Sequence, residues 1–157
     1  AAAREVGPVP APPARYALQP VGQGTLTWFG LRVYVAALWS KSGRADFDEP
    51  FALVVRSRAL EDAAIAERVH EELAHLGAGG AAQRDGWARQ LRALLRDVEA
   101  GDEIAGVHRP GAGARFYLNG RALGEIADAA FSRAFFSIWL DPRTREPELR
   151  AALIGQR

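Results

Sequence analysis

The sequence predicts an α+β domain, an antiparallel sheet packed against a layer of helices. Three observations carry this expectation. Runs rich in β-branched and aromatic residues come first, at 22–39 and 51–58. From Leu60 the apolar residues recur every three or four positions. Short alternating segments then return at 102–126 around Asn119-Gly120, and helical stripes close the chain. Strands and helices segregated in this order suit an antiparallel sheet with helices on one side, not a doubly wound parallel sheet.

The elements follow in turn. "AAAREVGPVPAPPARYALQP" holds Pro8, Pro10, Pro12, Pro13 and Pro20 and little to bury, so 1–21 reads as an extended proline-rich lead and 22–157 as the domain. "GQGTLTWFGLRVYVAALW" (22–39) reads as one long strand bent at Gly30, because glycine within a strand often marks a bulge. On it Leu26, Trp28, Arg32, Tyr34 and Leu38 share a face, barring a register shift. "FALVVRSR" (51–58) is a second strand, antiparallel to the first. Ile65, Val69, Leu73 and Leu76 form the stripe of a helix ending at Gly77. Trp87, Leu91, Leu94, Leu95 and Val98 form that of a second helix, expected to start after Asp85 and to stop before Gly101.

"DEIAGVHRP" returns to strand, "GAG" turns, and "ARFYLNGRALGEI" is a hairpin on Asn-Gly, the pair suited to a turn needing positive φ twice. Asp128 fits an N-cap for a helix burying Phe131, Phe135, Ile138 and Trp139. Pro147 opens a last short helix, where proline is tolerated.

Composition narrows the function. At 157 residues, 48% apolar and 25% charged, the chain is globular and sized for one domain. A net charge of +1 is too balanced for a nucleic-acid footprint. The absence of cysteine removes disulfides, thiolate nucleophiles and cysteine-ligated metals. No apolar run reaches the ~20 residues of a membrane-spanning helix, so an integral membrane protein is not expected. The start at Ala1 suggests an export signal removed upstream, hence a periplasmic or secreted protein, with trimming of the chain as the alternative.

Candidate chemistry is sparse. His70 and His75, five apart on one helix, do not form an i, i+4 metal pair and read as solvated. His108, at a strand end, suits a single axial ligand or a proton shuttle. Glu71 and Glu72 diverge by about 100° on their helix and read as a solvated face. "GQG" and "GAG" are too short for phosphate cradles. Trp28, Tyr34, Trp39, Phe116, Tyr117 and the Phe135-Phe136 pair either line a pocket for a flat or long apolar ligand or pack as core. Arg32 and Tyr34, two apart on one strand face, form the sharpest polar pair and suit a carboxylate or carbonyl. Tyr117 is expected to look into the cleft, with Arg115 and Arg121 toward solvent.

"TWFGLRVYVAALW", the stretch from Arg96 to Phe131 and above all FF-x-IWL-x-P-x-T-x-x-P-x-LR (135–150) resemble bacterial chalcone isomerase-like proteins over roughly 22–155. The resemblance implies an antiparallel sheet, a helical layer and a cleft between them. The plant isomerases of this family close a flavonoid ring by conjugate addition of a phenolate, helped by an arginine, a threonine and tyrosine-held water. Other members bind fatty acids through an arginine on the strand leading into the Val-Tyr segment. Matching on Val33-Tyr34 and on Gly22 and Gly24 puts Leu26 at that arginine and Phe29 at the threonine, with Thr27 nearby. Both positions depart from the pattern.

The expectation is therefore non-catalytic binding of a hydrophobic small molecule, a fatty acid or a haem-like macrocycle, with Trp28, Arg32, Tyr34, His108 and Tyr117 as contacts and no cofactor required. The first alternative is an intramolecular lyase or isomerase acting on an enone, using Thr27, Arg32 and Tyr34. The second is a structural or interaction module whose cleft is filled by its own side chains.

Overall fold

The computed structural model describes residues 10–28, 31–57 and 62–155, without the side chains of 27–28, 31–33 and 62–64. Among the described residues, six strands form one antiparallel sheet in chain order: β1 (Gln19–Trp28), β2 (Leu31–Ser40), β3 (Phe51–Ser57), β4 (Glu103–Arg109), β5 (Gly113–Leu118) and β6 (Arg121–Ile126). Between β3 and β4 run α1 (Asp62–Leu76) and α2 (Ala81–Leu95); after β6 come α3 (Ala129–Leu140) and α4 (Pro147–Leu153). The expected α+β order, antiparallel sheet and helical layer are all present.

The segment expected as one long strand is two. Trp28 pairs with Leu31 and Thr25 with Val35, so the chain has reversed direction between β1 and β2; Phe29 and Gly30 lie outside the described residues. Apolar residues continue through the reversal, and without an Asn-Gly or Asp-Gly signal nothing in the sequence but Gly30 marks it. A register shift between Leu26 and Thr27 also alters the expected sharing of faces. The second helix begins at Ala81 rather than after Asp85, capped by Gly80 in extended geometry, and stops at Leu95, leaving Val98 buried beyond its end.

Other local signals hold. Asn119 and Gly120 take φ of 51° and 84°, the double positive φ that the hairpin requires. The Asp128 side chain accepts from the Phe131 backbone N–H at 3.1 Å and from Trp87 Nε1 at 3.0 Å, so one carboxylate both caps α3 and ties it to α2.

The two sheet faces are covered differently. Toward the helices point Leu38, Phe51, Leu53, Ala114, Phe116 and Leu118, meeting Phe131, Phe135 and Phe136 of α3 and Leu73, Leu91 and Leu95 of α1 and α2. Burial of each such large side chain stabilises by about 1.5–3 kcal/mol. The opposite face carries Ala52, Val54, Ala105, Val107 and Tyr117, and the chain's own early residues Tyr16 and Leu18 lie over it with Trp39. Trp39 Nε1 donates to the carbonyl of buried Pro10 at 2.8 Å. The lead, expected to have little to bury, is thus seated on the sheet from Pro10 onward.

Candidate functional site

Where α1, α3 and α4 meet the sheet, packing is incomplete and a cavity of about 120 Å³ remains. The sheet supplies Leu26, Tyr34, Val55, Ile104 and Phe116; the helices supply Ile65, Val69, Phe135, Ile138 and Leu149. So apolar a lining favours an apolar guest. The interaction-module alternative expects this space to be filled by the protein's own side chains.

Glycines at 22 and 24 let α4 lie against β1: a Cβ on Gly22 would stand 2.1 Å from the carbonyl oxygen of Ala152, and one on Gly24 2.8 Å from Leu149 Cδ1. The "GQG" pair is a helix seat. Thr144 Oγ1 donates to the Ile138 carbonyl at 2.7 Å and Arg150 Nε to that of Leu140 at 2.7 Å, fastening the 141–146 loop and α4 to the end of α3.

A polar end interrupts the apolar lining. Tyr34 Oη accepts from Trp139 Nε1 at 2.9 Å. Burial pushes its phenol up to about 12, against the opposing effect of that hydrogen bond, so it stays protonated at neutral pH. Ser57, Arg68, Glu72, Thr144 and Glu146 are the other polar residues of the lining. Glu72 is buried at 7% exposure, whereas Glu71 is exposed. The expected solvated face is thus corrected for Glu72, which stands three residues from Val69 and seven from Ile65, within the apolar stripe. Its Oε1 lies 3.6 Å from Arg68 Nε and 3.6 Å from Arg145 Nε, with no hydrogen-bond partner.

The sequence pattern of the chalcone isomerase-like family matches residues 11–155. The chain belongs to that family. A relative, an uncharacterized protein of Haemophilus influenzae, is 28% identical over 140 residues, spanning 88% of this chain and 68% of that protein. The crystal structure of the Arabidopsis thaliana fatty-acid binding protein AtFAP1 is similar at a TM-score of 0.68, covering 95% of this chain and 91% of that one. At 12% identity this likeness establishes the shared fold.

Within this chalcone isomerase-like chain the expected contacts separate. Tyr34 lines the cavity, and so does Leu26, its cross-strand partner, which stands where the family resemblance puts an arginine. The side chains of Trp28, Arg32 and Thr27 lie outside those described; Arg32 and Thr27 pair across β1 and β2.

His108 is not among the cavity residues. It is buried at 4% exposure, its Nδ1 bonded to Ser132 Oγ at 2.6 Å and its Nε2 to the Phe47 carbonyl at 2.8 Å. Burial holds its pKa below the ordinary value, and both ring nitrogens are committed to holding β4, α3 and the 41–50 loop together.

Tyr117 is on the far side of the sheet, because Phe116 and Leu118 take the cavity side and strand neighbours alternate. There its hydroxyl meets those of Tyr16 and the Arg15 guanidinium. Burial opposes ionisation of this phenol, but hydrogen bonds from Tyr16, Arg15 and Arg115 outweigh it and lower the pKa. Arg115, expected in solvent, is half-buried and lies 3.6 Å from Glu125; Arg121 is exposed as expected.

His70 bonds Asp85 at 2.7 Å and exposed His75 bonds the Arg143 carbonyl at 3.1 Å; no metal-holding cluster of His, Asp and Glu occurs among the described residues. Also among them, no helix is long and apolar enough to cross a membrane. The residues missed from sequence are Arg68, Glu72, Thr144 and Glu146. The signal for Glu72 was its place in the stripe of α1; the others are brought in by loop and helix packing.

Proposed function

We propose that this protein binds a hydrophobic small molecule without catalysis, in the cavity between the sheet and α1, α3 and α4. The observation that carries this is the cavity itself, an apolar space of about 120 Å³ left between the sheet and the helices. Native interiors keep few voids larger than a water molecule, so an open space with one polar end is the form of a ligand site. The fatty-acid binding activity named for the Arabidopsis neighbour supports the same reading.

A straight alkyl chain entering end-on suits the volume better than a fused ring system, since cavities of about 150 Å³ hold a single benzene ring. A haem-like macrocycle is a poorer match, and His108, its anticipated nitrogen ligand, is hydrogen-bonded elsewhere.

Native mass spectrometry of protein purified from its own host tests the proposal. The expected result is an adduct with the mass of an amphiphile, lost when Val55→Phe fills the cavity. A bare spectrum, together with no binding across a panel of lipids, would overturn it.

A further inference from the structure

The polar end of the cavity is arranged unusually for a site that receives anions. Glu72, with its side chain 9% exposed, is the inner charged group; Arg68 and Arg145, at 40% and 49%, reach past it to water. Glu146 adds a second carboxylate to the lining. Both guanidiniums already face the Glu72 oxygen, and with Glu146 this end sets two carboxylates against two guanidiniums, so it offers an entering carboxylate no net positive charge to replace its lost hydration. Leu26, at the resemblance's arginine position, supplies no cation. Among the uncharged polar groups of the lining, Ser57, Thr144 and Tyr34, the Tyr34 hydroxyl is the one hydrogen-bonded to the neighbouring lining residue Trp139. Its oxygen accepts from Trp139, leaving its own proton to donate to a ligand oxygen.

Resting on the binding function above, we propose that Glu72, flanked by Arg68 and Arg145, makes this cavity select amphiphiles with a neutral oxygen head group, an ester or an alcohol, over free carboxylates. Tyr34 donates to the neutral oxygen, and Glu72 occupies the guanidiniums that would otherwise receive the anion.

The test is displacement of an environment-sensitive dye from the full chain by methyl laurate, 1-dodecanol and laurate at neutral pH. The three probes share a twelve-carbon chain or acyl group and differ at the head. The expected result is that the ester and the alcohol bind at least about tenfold tighter than laurate, the scale of one hydrogen bond to a charged group gained or lost. Glu72→Gln should narrow the gap by raising laurate affinity. Laurate binding as tightly as the neutral probes would overturn this inference and leave the binding function standing. Failure of all three to bind would remove both. A gap unchanged in folded E72Q would show that Glu72 does not set it. The comparison in the unmodified chain needs no variant, so it decides even where E72Q is unstable.

Discussion

His108 shows how a residue suited to chemistry can be committed to structure. Its imidazole joins Ser132 on α3 to the Phe47 carbonyl, packed on Phe51 with ring centroids 4.7 Å apart. Burial lowers its pKa from the ordinary 6.5, with the Arg133 charge acting in the same direction and the Phe47 hydrogen bond against it. The unfolded chain therefore takes up a proton at a higher pH than the native state does. Stability is full above pH 6.5 and falls as the pH drops from there toward the lowered native value. Urea unfolding from pH 7.5 to 5 should show this loss, and His108→Gln should flatten it while lowering stability throughout. A slope unchanged in H108Q would assign it to other groups. Glu72 is the opposite case, a residue whose type suggests solvent but whose place in the stripe of α1 puts it at the cavity.

Among the elements, α4 depends most on what lies beneath it. It is seven residues long, too short to persist alone, and is held by the bare backbone of β1 at Gly22 and by Leu149 and Leu153. A methyl at Gly22 would collide with the carbonyl groups of Ala152 and Leu153, and backbone cannot rotate aside as a side chain does. Gly22→Ala should destabilise by about 1–3 kcal/mol, the usual cost of overpacking, and displace α4 from the cavity. Chemical denaturation checks the first effect, and loss of dye binding the second. An unchanged midpoint would mean that β1 and α4 separate easily.

At the scale of the whole molecule, the sheet is covered on both faces by different means. Helices cover the cavity side. Among the described residues, the stretch 10–18 lies over the other with Trp39, held by the Trp39–Pro10 hydrogen bond and by Arg15 and Tyr16 against Tyr117. Removing residues 1–18 would uncover Val54, Val107 and Tyr117, all almost wholly buried. The shortened chain should lose on the order of 3 kcal/mol and bind an apolar dye on its outer face. A thermal midpoint within a degree or so of the full chain would show that the stretch is only a tether.

The sequence by itself determined the class of the fold, the β5–β6 hairpin, the stripes of α1, α2 and α3 and the cap at Asp128. Each rests on local chemistry: positive φ at Asn-Gly, a carboxylate at a helix start, apolar residues at the period of their element. Tyr34 was also legible as a residue of the cavity lining, since its strand and its phenol are both readable in place. Tertiary structure alone decided where the long apolar stretch folds back, which side of the sheet Tyr117 occupies, that His108 is a tie and that Glu72 faces inward. The reason is physical. A strand's two faces look alike in sequence when both are covered, and what covers each is set by segments far away in the chain. The cavity is likewise a property of fit between distant surfaces, the bare glycines of β1 against α4 and the aromatic face of α3 against β5.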